Sequence, residues 1–113
     1  MTHRMNQVVA KNNVAVITGA AKGIGAALAR ELHARGMTLA LLDSDAEGVS
    51  ALAAALGDNA MPYQGDVTSE REFTAFRDTV IERFGSVHLL VNNAGATCHA
   101  GPWDELGTWR RAM

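Results

Sequence analysis

Three glycines in one short turn, with an acid 18 residues beyond the last of them, are the residues best suited to chemistry. The turn reads Gly19-x-x-x-Gly23-x-Gly25 and follows the run Val14-Ala15-Val16-Ile17-Thr18. Gly19 lets the chain turn sharply after a strand. Gly23 and Gly25 have no side chain where a backbone must approach pyrophosphate or a helix must pack closely on a sheet. A helix starting there points its free N–H groups and positive dipole end at an anion. The alternative is a tight strand-to-helix turn with no ligand. Asp43 stands near the ~20-residue spacing expected of an acid that binds a ribose. A carboxylate there accepts from the 2′- and 3′-hydroxyls and repels a 2′-phosphate, so NAD is the expected cofactor and NADP the poorer fit. Asp43 could instead cap the next helix, as Ser44 and Asp45 also could. Lys22 pulls the other way, since it could meet an added phosphate.

The elements that must position these residues follow from the hydrophobic pattern. Val14-Ala15-Val16-Ile17 suits a strand buried on both faces. Ile24, Leu28 and Leu32 recur every four positions and mark one face of a helix that Gly36 ends. Thr38 to Leu42 is a second strand ending at Asp43. Val49, Leu52 and Leu56 form the buried face of the next helix, which Gly57 ends. Ala60-Met61-Pro62-Tyr63-Gln64 is a poorer strand, and Pro62 places it at a sheet edge. Ser69 and Glu72 have the spacing of a capping box. The helix they open carries Phe73, Phe76, Val80, Ile81 and Phe84, and Gly85 ends it. Val87 to Val91 is a fourth strand, running into Asn92-Asn93-Ala94-Gly95. Helical pattern begins again over 108–113.

Regular β-α alternation predicts parallel strands joined by helical crossovers, an α/β sheet with helices on both faces. In such a sheet ligands bind beyond the carboxyl ends of the strands. Gly19, Asp43, Asp66 and Asn92 each follow or end one of the four strands, so one crevice collects them all.

Composition sets bounds. The 113 residues suffice for one domain. Ten basic and twelve acidic side chains give a net charge of −2, with no push toward nucleic acid or an anionic membrane. No apolar run approaches the ~20 residues that span a bilayer. A single cysteine, Cys98, makes no internal disulfide, and a reducing cytoplasm is the expected compartment. His3, His33 and His88 are scattered without metal-ligand spacing, so no metal is expected. Residues 1–12 are polar and mixed, and read as a loose leader to a domain over 13–113.

At this point the residues resemble a family. Thr18-Gly19-Ala20-Ala21-Lys22-Gly23-Ile24-Gly25 is similar to the TGxxxGIG signature of the short-chain dehydrogenases/reductases. Asp66-Val67 resembles that family's acid at the end of the third strand, and Asn92-Asn93-Ala94-Gly95 its NNAG motif. The resemblance implies a Rossmann-type doubly wound parallel sheet of partial strand order 3-2-1-4. It also implies an NAD(P)-dependent oxidoreductase that interconverts an alcohol and a carbonyl in a small molecule, as a homo-oligomer when full length. By the same resemblance Asp66 would bond the adenine amino group. Val67 would meet adenine through its backbone N–H or its side chain, and Asn92 would help hold the adenosine ribose and the fourth strand. Ala94 and Gly95 would line the middle of the cleft. Thr18, Lys22 and Ile24 complete the cofactor-binding set.

The family's catalytic groups find no match. It uses a tyrosine with a lysine four residues on, a serine and an asparagine, for general acid/base catalysis with a tuned phenol. The one tyrosine, Tyr63, is followed four residues on by Val67, and both lysines, Lys11 and Lys22, lie upstream. Ser86 precedes the fourth strand, where the family's serine ends the fifth. No catalytic residue is therefore assigned. Cys98 and His99 are neighbours in sequence, which does not make a nucleophile–base pair. Trp103 and Trp109 are expected to cover apolar surface. The expectation is an N-terminal portion of a longer enzyme, inactive alone, with the fourth strand's outer edge bare and prone to pairing. The competing readings are a non-catalytic nucleotide-binding or interaction module and an inactive gene fragment.

Overall fold

The run from Val14 to Thr18 is buried at every position, which a strand achieves only with neighbours on both sides and cover on both faces. The computed structural model describes residues 8–93, and both conditions are met there. Strand β1 (Val14–Thr18) leads to helix α1 (Gly23–Ala34), β2 (Thr38–Asp43), α2 (Ala46–Leu56), β3 (Ala60–Gln64), α3 (Glu70–Phe84) and β4 (Leu89–Asn92). The sheet has the order β3-β2-β1-β4 and every pairing is parallel. β1 runs beside β2 from Val14↔Thr38 to Thr18↔Leu42, and beside β4 from Ala15↔Leu89 to Thr18↔Asn92. This is the doubly wound α/β arrangement that the alternating pattern predicts. Pro62 lies on the outer strand β3, opposite Leu41, where a missing N–H costs least. β4 is the other outer strand of the described sheet.

Side chains alternate across the sheet and feed two separate cores. Ala15, Ile17, Leu39 and Leu41 pack under Ala26, Ala29 and Leu32 of α1 and Val49, Leu52 and Ala53 of α2. Val14, Val16, Ala40, Leu42 and Met61 pack on the other face under Phe73, Phe76 and Val80 of α3. Burying each large side chain contributes about 1.5–3 kcal/mol, and Phe76, fully buried, heads the second group.

Several local expectations need correction. Helix α1 buries Gly25, Ala26, Ala29 and Leu32 rather than an Ile24-Leu28-Leu32 face, and Ile24 is 77% exposed. At Gly25 the helix lies against the Gly19 carbonyl, where a Cβ has no room. Helix α2 buries Val49, Leu52 and Ala53, with Leu56 at the margin of the core. Strand β4 starts at Leu89, not Val87. The His88 imidazole takes the Val14 N–H through Nδ1 at 3.0 Å, and His88 N–H donates to the Val14 carbonyl at 2.9 Å. A side chain there does part of what the ladder would do.

The capping box at Ser69 is only half made. Ser69 Oγ accepts from Glu72 N–H at 3.3 Å. Glu72 Oε1 does not return to Ser69 N–H, which already donates to the Asp66 carbonyl; it accepts from Asp66 N–H at 2.9 Å. Of the leader expected over 1–12, residues 8–12 fall in the described part, where Val9 packs against the first core and Asn12 N–H donates to the Gly36 carbonyl at 2.9 Å. Among the described residues no helix is long and apolar enough to cross a membrane. Ala94, Gly95, Cys98, His99, Trp103, Trp109 and the helical pattern over 108–113 lie outside the described residues.

Candidate functional site

The four strand tips open on one cleft of about 370 Å³. Its lining draws on every strand: Gly19 and Lys22 after β1, Leu42, Asp43 and Ser44 at β2, Gly65 to Thr68 after β3, and Asn93 after β4. A parallel sheet forces this convergence, because all its strands end on the same side.

The glycine turn forms the near wall. Gly19 and Gly23 both have φ of +65°, a left-handed conformation open to glycine at little cost. Gly25 serves a different end. A Cβ there would collide with the Gly19 carbonyl oxygen and stand 2.8 Å from Asn93 Nδ2. Helix α1 can approach the turn only because residue 25 has no side chain.

The start of α1 differs from the other helix starts. Asp45 caps α2 by accepting from Gly48 N–H at 3.0 Å, and Ser69 caps α3. Both those helices carry acids in the first turn, Glu47 in one and Glu70 and Glu72 in the other. α1 begins at Lys22 with no side-chain cap and no acid in its first turn. Its first N–H groups and the positive end of its dipole remain for an outside anion. Lys22 is exposed on the cleft wall and has no acidic partner among the described residues.

Asp43 holds two backbone groups. Oδ2 accepts from Ala21 N–H and Oδ1 from Asp45 N–H, both at 2.9 Å. Asp43 does not cap α2; Asp45 does. A carboxylate offers about four acceptor positions, so each oxygen keeps one for a hydroxyl.

Asp66 is exposed at the far end of the cleft. Its Oδ1 accepts from Thr68 N–H at 2.9 Å and Thr68 Oγ1–H at 2.6 Å. The Thr68 hydroxyl first, then the Thr68 N–H, hold its carboxyl below the ordinary carboxylate value, against a small opposing effect of burial. Val67 lines the cleft, yet its side chain is buried in the second core. Its backbone N–H is the group it can offer, and no described residue accepts from it.

The two asparagines divide the work between them. Thr18, fully buried, donates its hydroxyl to Asn92 Oδ1 at 3.1 Å and accepts from Asn93 N–H at 2.9 Å. Asn93 Nδ2 donates to the Gly19 carbonyl at 3.2 Å. Asn92 thus faces Thr18, and Asn93 faces the cleft and the glycine turn. Tyr63 packs its ring against Phe76, centroids 5.1 Å apart, in keeping with a packing role.

Of the residues expected from sequence to bind the cofactor, Gly19, Lys22, Asp43, Asp66 and Val67 line the cleft, while Thr18, Gly23, Gly25 and Asn92 stand in the turn and strand end behind it. Ile24 stands exposed at the first turn of α1. Ser44, Gly65, Thr68 and Asn93 also line the cleft and are absent from the set expected from sequence. Two signals were available. Thr68 sits two residues after an aspartate, the spacing of a local side-chain-to-backbone turn. Asn93 is one residue past a strand residue, and neighbours along a strand face opposite ways.

Comparison with known proteins follows the same stretch. The family described as short chain dehydrogenase matches residues 13–111. D-threitol dehydrogenase of Mycolicibacterium smegmatis is 42% identical over 96 residues, covering 82% of this chain and 36% of that protein. The crystal structure of a short chain dehydrogenase/reductase from Burkholderia phymatum in complex with NAD superposes with a TM-score of 0.68 at 36% identity, over 71% of this chain and 30% of that one. L-sorbose reductase from Gluconobacter frateurii, complexed with NADPH and L-sorbose, gives a TM-score of 0.73 at 31% identity, over 76% and 34%. The chain spans between about a third and two fifths of the curated relatives it matches. With the glycine turn, the acids at the strand tips and the parallel sheet all inside the matched stretch, the chain belongs to the short chain dehydrogenase family.

Proposed function

We propose that this chain binds NAD(H) through the cleft at its strand tips and serves alcohol–carbonyl interconversion on a small molecule. The observation that carries the reading is the pairing of an uncapped helix start with two acids at fixed places beyond it. The start of α1, Gly19 and Lys22 suit the pyrophosphate. Asp43 suits the adenosine ribose, and Asp66 with Val67 N–H suits the adenine. Asn92, Ala94 and Gly95 belong to the same site by their motif. The proposed preference is for NAD over NADP, because a second negative charge beside Asp43 is repelled. Among the described residues Lys22 is the one cation lining the cleft, and it offsets this.

In this reading these 113 residues supply the adenosine side of the site, and Tyr63, the one tyrosine among them, has Val67 and not a lysine four residues on. In the proposal the whole protein acts on its alcohol or carbonyl as a homo-oligomer in the cytoplasm, with no nucleic acid or membrane partner. Titration calorimetry tests the binding half. NAD and ADP-ribose should bind with similar, weak affinity, and NADP less well. A strong preference for NAD over ADP-ribose contradicts a site confined to the adenosine side. Steady alcohol-dependent NADH production by the purified 113-residue chain contradicts the absence of catalytic groups.

A further inference from the structure

The adenine end of the cleft is held more firmly than an exposed turn requires. Glu72 Oε1 accepts from Asp66 N–H at 2.9 Å, and the Asp66 carbonyl accepts from Ser69 N–H at 2.9 Å. Both bonds from Thr68 fall on one carboxylate oxygen, Oδ1. No described residue donates to Oδ2. An exposed aspartate otherwise samples several rotamers; this one is fixed at its backbone and at one oxygen, with the second oxygen left over.

We infer that Thr68 is a positioning residue, which fixes Asp66 so that the cleft selects a 6-aminopurine over a 6-oxopurine. The inference rests on the reading above that Asp66 and Val67 meet the base. An ionised carboxylate only accepts, and an amide N–H only donates. Adenine offers a donating amino group at C6 and an accepting N1, the complement of Asp66 Oδ2 and Val67 N–H. Hypoxanthine inverts both positions: its C6 oxygen accepts and its N1–H donates. The wrong base therefore meets like against like twice, provided Asp66 cannot rotate away. Thr68 prevents that rotation. Among the described residues Lys22 and Asp43 are the other charged groups lining the cleft, and Glu72 stands behind the Asp66 backbone.

The test titrates the chain with ADP and with inosine diphosphate by calorimetry. The wild type should prefer ADP by roughly tenfold, the worth of a hydrogen bond to a charged group. Thr68→Val should cut that preference to about two- to threefold, and Thr68→Ser should restore it. A second measurement needs no nucleotide. The Asp66 carboxyl carbon, followed by NMR through a pH titration, should titrate at higher pH in Thr68→Val and return in Thr68→Ser. An unmoved Asp66 titration overturns the positioning role, whatever binds. An unchanged preference in Thr68→Val, with ADP still bound, overturns the part given to Thr68; no preference in a wild type that binds ADP overturns the selection, and either result leaves the dinucleotide reading standing. If the wild type binds neither nucleotide, both readings fall together.

Discussion

Asp43 Oδ2 accepts the Ala21 amide at 2.9 Å, so the acid at the end of β2 is tied directly to the glycine turn after β1. The group proposed to hold the ribose thus also shapes the wall proposed to hold the phosphates. Replacing it should disturb both.

Asp43→Ala should weaken NAD by about tenfold, the scale of losing a charge-assisted hydrogen bond, and weaken NADP less. It should also loosen the turn. Amide hydrogen exchange of the free chain should show Ala21 losing protection in Asp43→Ala, with partial recovery in Asp43→Asn, which keeps an acceptor oxygen. Full protection of Ala21 in Asp43→Ala would falsify the tie.

Gly25→Ala and Gly23→Ala separate contact from conformation. At Gly25 a new Cβ strikes the Gly19 carbonyl, so α1 must move away from the turn, at about 1–3 kcal/mol. At Gly23 a Cβ meets nothing within 4 Å, and only the positive φ is penalised, at about 1–2 kcal/mol. Both should lower the urea midpoint. Only Gly25→Ala should also shift the NMR resonances of Asn93, whose side chain lies against that position.

Thr18→Val removes a hydroxyl that serves Asn92 and Asn93 at once. The volume is nearly conserved, so packing survives while the polar groups lose their partner. The expected cost is about 1–3 kcal/mol in urea unfolding. Thr18→Ser should recover most of it. Loss in Thr18→Ser with little in Thr18→Val would point to the methyl group instead.

Asp66 adds an acid-side dependence. Its folded carboxyl titrates below its ordinary value of 3.8, so the unfolded chain takes up the proton first as pH falls. The stabilisation is complete above the ordinary value and lost as pH falls through the folded one. Thr68→Val should therefore be less stable than wild type at pH 7, with the gap closing at the acid end. Paired urea melts at neutral and low pH measure it; a gap that persists in acid belongs to packing.

Much of this architecture can be read from the residue pattern, because period and strand ends are local properties. Val14 to Thr18 announces a doubly covered strand, and the acids Asp43 and Asp66 fall at strand tips by counting alone. What escapes counting is set by the approach of one element to another. That α1 turns Gly25 and not Ile24 inward goes with how close the helix comes to the Gly19 carbonyl. The turning of Glu72 toward Asp66 follows from Ser69 N–H being taken already. Which of Asn92 and Asn93 faces the cleft depends on where Thr18 places its hydroxyl. In each case a competing partner, distant in sequence or already engaged, decides between two arrangements that local propensity leaves equal.

The glycine turn is gripped from two directions: the Asp43 carboxylate takes Ala21 N–H on one side, and Asn93 Nδ2 takes the Gly19 carbonyl on the other. Its width is thereby inherited from the gauge between β2 and β4, which lie on opposite flanks of β1. A substitution buried deep beneath the sheet that spreads or skews those two strands would misfit the turn proposed to cradle the phosphates without touching it.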